Sequence, residues 1–163
     1  MADPYVIEKC LHGNLTRLLI ATRAGQQWYD KFDHTEAPFI DALGMIKPGD
    51  TVFDCGAHQD VHSIIYSRMA GERGRVVAFE PFPMNIEIAK LNTALNNCFN
   101  IDLIDAALSN RAGHTNASTI EECIEIGNQD AQDLIELKLV RLDEFAHLRP
   151  DFLRSISRYA RAY

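Results

Sequence analysis

Two acids and a glycine stand where apolar runs end. Asp54-Cys55-Gly56 closes Thr51-Val52-Phe53, and Glu80 closes Arg75-Val76-Val77-Ala78-Phe79. A third acid, Asp105, ends the run from Ile101. Glu80 stands 24 positions beyond Gly56, close to the roughly 20 that separate a phosphate-loop glycine from a ribose-binding acid. A carboxylate at that place can accept hydrogen bonds from two neighbouring hydroxyls at once. The glycine lets a ligand approach the backbone, and an acid just before it suits a ligand with a cationic amine.

A pyrophosphate loop needs glycines at its first, third and sixth positions. Gly56 is the only glycine between Asp54 and Gly71, so that fingerprint fails and a nicotinamide-dependent oxidoreductase is disfavoured. S-adenosylmethionine, with adenosine at one end and an amino acid at the other, suits the pattern better. Asp60 is expected to cap the following helix through its side chain. It would also repel a ligand carboxylate that the helix N-terminus attracts. His58 and His62 are four apart, a spacing that could ligate zinc on a helix. Gln59 cannot serve as the base of that motif, no third ligand is evident, and no metal site is assigned.

These residues need elements to hold them. Thr51–Asp54, Arg75–Glu80 and Ile101–Ala106 read as buried strands. Asp60–Met69 has helical spacing through Val61, Ile64, Ile65 and Met69, with Gly71 expected to stop it in a left-handed conformation. Pro83 opens a second helix through Asn97, with Ile88, Leu91 and Leu95 as its inner face. A further helix is expected from Thr35, a strand over Leu137–Leu142, and the opening of one more at Pro150-Asp151-Phe152-Leu153. Residues 5–29 leave helix and strand open, with Trp28 and Tyr29 expected at the domain edge. The acidic stretch 121–136 reads as a solvated loop or surface helix.

Strand, helix, strand, helix, strand is the order of a parallel α/β sheet with crossovers. The chain has 163 residues, 47% hydrophobic and 24% charged, with a net charge of -7. That balance suits one core and argues against a nucleic-acid surface. Four scattered cysteines without a Cys-x-x-Cys pair imply reduced thiols. The N-terminus has no secretory profile and no run is long enough to span a membrane, so a cytoplasmic setting is expected.

Several segments carry a resemblance. "KPGDTVFDCGAHQDVHS", "GRVVAFEPFPMNIEIAKLNTALNN", "IDAALSNRAG", "LVRLDEF" and "RPDFLR" resemble, in order and spacing, the FkbM family of S-adenosylmethionine-dependent methyltransferases. The resemblance implies a Rossmann-like, mostly parallel sheet of the class I methyltransferase type. It implies methyl transfer to a hydroxyl of a small molecule or sugar. It places Asp54, Gly56 and Ala57 at the methionine end of the cofactor and Glu80 on the ribose hydroxyls. It sets Pro81 and Phe82 beside the adenine and Asp105 and Ala106 near its edge. His58 stands where the family prefers Asn, and Asp60 where it has Gly.

Residues 1–35 are expected to be an extension packed on a cofactor-binding domain over 36–154, followed by an atypical tail, 155–163. The family's strand continues with an acidic motif where this chain reads Ser155-Ile156-Ser157-Arg158-Tyr159. A shifted reading frame over those codons can spell Asp-Ile-Glu-Val. A truncated sheet is therefore expected, with later strands missing, a weakened or inactive binding remnant as the alternative, and a homo-oligomer covering an exposed edge. The other reading of the tail is a basic helix bearing Arg154, Arg158 and Arg161 for RNA or a partner. No catalytic residue is assigned.

Overall fold

The computed structural model describes residues 3–31, 44–120, 123–126 and 134–155. The strands run β1 (Tyr5–Leu11), β2 (Asn14–Ile20), β3 (Thr51–Cys55), β4 (Arg75–Glu80), β5 (Ile101–Asp105), β6 (Ala107–Leu108), β7 (Gly113–Ile120), β8 (Cys123–Ile126), β9 (Leu134–Val140) and β10 (Phe152–Ser155). Two helices, α1 (Val61–Ala70) and α2 (Pro83–Leu95), connect β3 to β4 and β4 to β5. A parallel sheet has the order β10-β3-β4-β5, and a second, mixed sheet the order β6-β9-β7-β8. The parallel βαβαβ unit is Rossmann-like.

β3 and β4 are covered on both faces, which is why each reads as a nearly continuous apolar run. On one face Val52 and Val76 pack with Val61, Ile64, Ile65 and Tyr66 of α1 and with Leu18 and Ile20 of β2. On the other, Phe53, Cys55, Val77 and Phe79 meet Ala106 and Val140. Phe145, in a 3-10 helix over Leu142–Leu148, sets its ring 4.9 Å from that of Phe79, edge to face. Each fully buried phenylalanine contributes about 1.5–3 kcal/mol by leaving water. The alternation also fixes the polar side chains. Asp54 lies on the Val52 face, and Glu80 on the Val76 face.

The undecided segment 5–29 forms an antiparallel hairpin, β1–β2, followed by a helical stretch from Arg23 to Asp30. Its two-residue turn is His12-Gly13, with φ of 48° and 74°. A hairpin loop of this length favours positive φ at both positions. Tyr29 is buried in the core rather than at an edge, while Trp28 is 41% exposed.

The expected inner face of α2 is corrected. Ile88 is buried, but Leu91 and Leu95 are exposed, and Asn85, Asn92, Ile86 and Ala89 line the buried side. The reason lies in the hairpin. β2 leaves one backbone edge unpaired by β1, and α2 completes it with side-chain amides. Asn92 Oδ1 accepts from Leu19 N at 2.7 Å, and Asn96 both accepts from Arg17 N and donates to Arg17 O. Asn92 Nδ2 also donates to the Gln59 carbonyl. Polar residues are buried here because a strand edge needs partners.

Other boundaries shift. The expected strand over 137–142 runs from Leu134 to Val140 and belongs to the second sheet. The described parts of the acidic stretch 121–136 are strand, not loop or helix: β8 and the start of β9. Gly71 stops α1 with φ 69° but ψ −177°, outside the left-handed helical well. The helix expected from Thr35 falls largely, and the tail 156–163 wholly, outside the described residues. No described helix is long and apolar enough to cross a membrane.

Replacing Asn92 with Leu improves the apolar periodicity of α2 yet removes two buried partners. We expect Asn92→Leu to destabilise the protein by about 1–3 kcal/mol for each buried backbone group left unpaired, read as a lower midpoint in urea unfolding.

Candidate functional site

The carboxyl ends of β3 and β4 are neighbours in register, with Cys55 opposite Phe79. Just past them the chain makes a tight loop. Gly56 N and Ala57 N both donate to the Phe79 carbonyl at 3.0 Å. His58 N donates to Glu80 Oε2 at 2.9 Å. Glu80 Oε1 accepts from Phe82 N at 3.0 Å and from Asn85 Nδ2 at 3.2 Å. One carboxylate thus clamps the loop after β3 to the loop after β4. Gly56 and Glu80 share one rim, as the spacing predicts.

The loop alternates into positive φ: Gly56 at 89°, His58 at 55° and Asp60 at 62°. Glycine takes such values freely, and Asp is among the few side chains that tolerate them. This corrects the role expected for Asp60. A side-chain cap needs extended backbone at that position. Asp60 is left-handed instead and makes no side-chain cap bond, while its carbonyl accepts from Ile64 N. Its carboxylate is fully buried, and neither oxygen has a hydrogen-bond partner among the described residues.

Asp54 is also fully buried. Arg154 Nη1 donates to its Oδ1 and Ser63 Oγ to its Oδ2, each at 2.7 Å. Arg154 lies directly opposite Asp54 in the β10–β3 ladder. The electrostatics follow. Burial, and then the nearby Asp54 charge, push the Asp60 carboxyl well above the usual range, opposed in part by the neighbouring Ser63 hydroxyl. Burial raises Glu80 too, opposed by the donors Phe82 N, Asn85 and His58 N. Burial alone would weaken Arg154's hold on its proton, but Asp54 reverses that and raises it. The Cys55 thiol is pushed up to about 12 by burial and then Asp54, so it is not a nucleophile at neutral pH.

The segment after the hairpin closes the loop from the side. The Tyr29 hydroxyl is 2.8 Å from His58 Nδ1, and the Trp28 ring lies 5.0 Å from the His58 ring. Gln59 Nε2 donates to Thr22 Oγ1 at 2.9 Å. Gly25 makes room for this contact, since a Cβ there would come within 2.8 Å of Gln59 Oε1.

A family model described as the methyltransferase FkbM domain matches residues 54–155. The chain belongs to this family. Nothing among curated proteins matches it. Solved structures similar to parts of it include a protein-L-isoaspartate O-methyltransferase, at 27% identity with a TM-score of 0.40 over 47% of this chain and 27% of that one. Others are a SAM-dependent methyltransferase from Aquifex aeolicus and the precorrin-6y C5,15-methyltransferase from Geobacter metallireducens. The first shows 20% identity and TM-score 0.39 over 52% of this chain and 42% of that one. The second shows 22% identity and TM-score 0.40 over 48% and 45%. The matches reach less than half of each of these chains.

The FkbM match begins at Asp54 and ends at Ser155, so both ends of the Asp54–Arg154 pair fall within it. Among the expected site residues, Asp54, Gly56, Ala57, His58 and Glu80 come together. Pro81 and Phe82 follow Glu80 and are half-buried. Asp105 is exposed opposite Glu80 in the β4–β5 register, and Ala106 is buried beside it. Neither shares a hydrogen bond with the loop in the contacts described. Ser63, Tyr29 and Thr22 were not expected at this rim. The sequence places Arg154 at the end of the "RPDFLR" segment and in the row of tail arginines, and neither gives it a partner; the parallel register of β10 against β3 sets it beside Asp54.

Two outcomes follow for this FkbM chain. Arg154→Met leaves Asp54 buried without its cation, and we expect a loss of about 3–5 kcal/mol in denaturant unfolding. Asp60→Asn keeps the left-handed backbone and removes a buried acid. Because the folded protein holds the Asp60 proton more tightly than the unfolded chain, the wild type loses stability as pH rises above about 4. Asp60→Asn is expected to be the more stable protein at pH 7, by about 1–3 kcal/mol, and less different at pH 4.

Proposed function

We propose that the chain binds S-adenosylmethionine at the β3–β4 rim and serves methyl transfer to a hydroxyl of a small molecule or sugar. The observation that carries this reading is the junction of the Gly56–His58 loop with Glu80, inside the stretch that matches the FkbM domain. Bound there, the cofactor supplies a methyl group activated on a sulfonium.

The residues fit such a group. Glu80 has about four lone-pair sites and spends three on N–H donors. One on Oε2 is left, so it is suited to one ribose hydroxyl rather than two. Gly56 brings backbone close to the ligand without a side chain. The chain's part in the reaction is then to hold cofactor and acceptor in line. A general base would assist a hydroxyl acceptor, and no residue is assigned that role.

Trp28, beside His58, offers a reporter for the test. Titration with S-adenosylmethionine is expected to change its fluorescence saturably, while NADH is not. Glu80→Gln is expected to weaken binding about tenfold or more, since a charge-assisted acceptor is lost. Saturable binding of NADH with no response to S-adenosylmethionine would overturn the reading. Transfer of a radiolabelled methyl to hydroxylated acceptors then tests catalysis.

A further inference from the structure

Arg154 stands next to the end of β10, directly opposite Asp54. Asp54 pairs with Arg154 on one side and with Ala78, two residues before Glu80, on the other. Side chains alternate along a strand, so Arg154, Asp54 and Glu80 share one face of the sheet. The order β10-β3-β4 sets Arg154 and Glu80 on opposite sides of β3, with the Gly56 loop following β3 between them. Two strand spacings of about 4.8 Å each separate their strands. A guanidinium carries five N–H donors in a fixed fork. Arg154 spends one of them, on Nη1, to Asp54, and the others have no hydrogen-bond partner among the described residues. Its side chain keeps 16% of its surface in solvent, whereas that of Asp54 keeps none. Nε and Nη2 are, unlike the Asp60 oxygens, not sealed in. The guanidinium also lies near the loop. Its charge acts on Tyr66 of α1 and on Tyr29, whose hydroxyl is 2.8 Å from His58 Nδ1.

We infer, resting on the adenosyl-binding reading above, that Arg154 receives the carboxylate at the amino-acid end of the ligand and makes the site prefer adenosyl ligands that carry one. A ligand whose hydroxyl meets Glu80 and whose body crosses the Gly56 loop brings its far end to the Arg154 side of β3. Asp54 holds the arginine by a single N–H, and Ser63 holds the other oxygen of Asp54. That fixes the guanidinium and leaves most of its fork for a second carboxylate, which arginine takes bidentately. Asp60 does not oppose this, since burial favours its neutral form. Decarboxylated S-adenosylmethionine keeps the adenosine, the sulfonium and the amine of S-adenosylmethionine. It lacks only the group assigned to Arg154, which makes it the matched comparison.

Isothermal titration of the full chain at pH 7.5 with these two ligands and with adenosine tests this. The wild type is expected to bind S-adenosylmethionine about tenfold or more tighter than its decarboxylated form. The double variant Asp54→Asn with Arg154→Gln replaces the buried ion pair by two amides and leaves no lone charge behind. Both sulfonium ligands carry the amine, so the loss of Asp54 bears on them alike, and their affinities are expected to approach parity. Arg154→Lys keeps the cation without the fork and is expected to keep a smaller preference. Adenosine reaches neither group, and its affinity is expected to hold in both variants. Equal or tighter binding of the decarboxylated ligand by the wild type overturns the inference. So does a preference left unchanged in both variants. If adenosine and both sulfonium ligands fail to bind the wild type, the adenosyl reading itself falls and the inference with it. If adenosine binds and the two sulfonium ligands bind alike, only the inference falls.

Discussion

The rim depends on one carboxylate. Glu80 ends β4, and from there it takes the His58 amide on one side and the Phe82 amide and Asn85 on the other. Without an acceptor there, three donors near the ends of two buried strands would need water or other partners. With it, the loop after β3 cannot drift from the loop after β4. A buried acid that satisfies several N–H groups is a strong local constraint, because leaving any of them unpaired is costly. The geometry of the two loops is therefore fixed by hydrogen bonding within the protein itself, the condition under which the proposed binding carries no large ordering cost.

Around that clamp the charge is uneven. Asp54 has its arginine and accepts the Ser63 hydroxyl, whereas Asp60 has no arginine and is eased only by its proximity to that same serine. Burial of such an acid is a local cost that the folded protein carries by raising the pKa of Asp60. The Asp54–Arg154 pair has a second consequence. It ties β10, the last described strand, to β3 through side chains as well as through the ladder. The integrity of the sheet's outer strand and the polarity of the site therefore rest on the same contact.

Most of the parallel unit was legible in the residues. β3 and β4 are short apolar runs closed by acids, and two faces of burial leave no alternation to mislead; β5, a partly buried edge strand, still shows as a short run closed by Asp105. The offset from Gly56 to Glu80 is set by one helix and two turns, so it survives as a linear signal. What escaped was set by contacts across the chain. Leu91 and Leu95 are apolar at helical spacing, yet the helix turns Asn92 inward because β2 needs partners for its backbone. Asp60 has the residue type of a cap, but its φ of 62° takes the side chain out of capping range. Arg154 looks like one of a row of tail arginines until the register of β10 sets it against Asp54. The hairpin β1–β2 is hard to recognise because His12 occupies a turn position usually given to Asn, Asp or Gly.

The central claim is that an adenosyl group sits between the Gly56 loop and Glu80. A concavity of about 400 Å³, lined by Tyr5, Ile20, Thr22 and Gln26 beside the hairpin, is the natural competitor. Amide chemical-shift mapping by NMR with adenosine separates the two. The account predicts the largest shifts at Gly56, Ala57, His58 and Phe82. Shifts confined to Tyr5, Thr22 and Gln26, with the Gly56 loop and Phe82 unmoved, would contradict it.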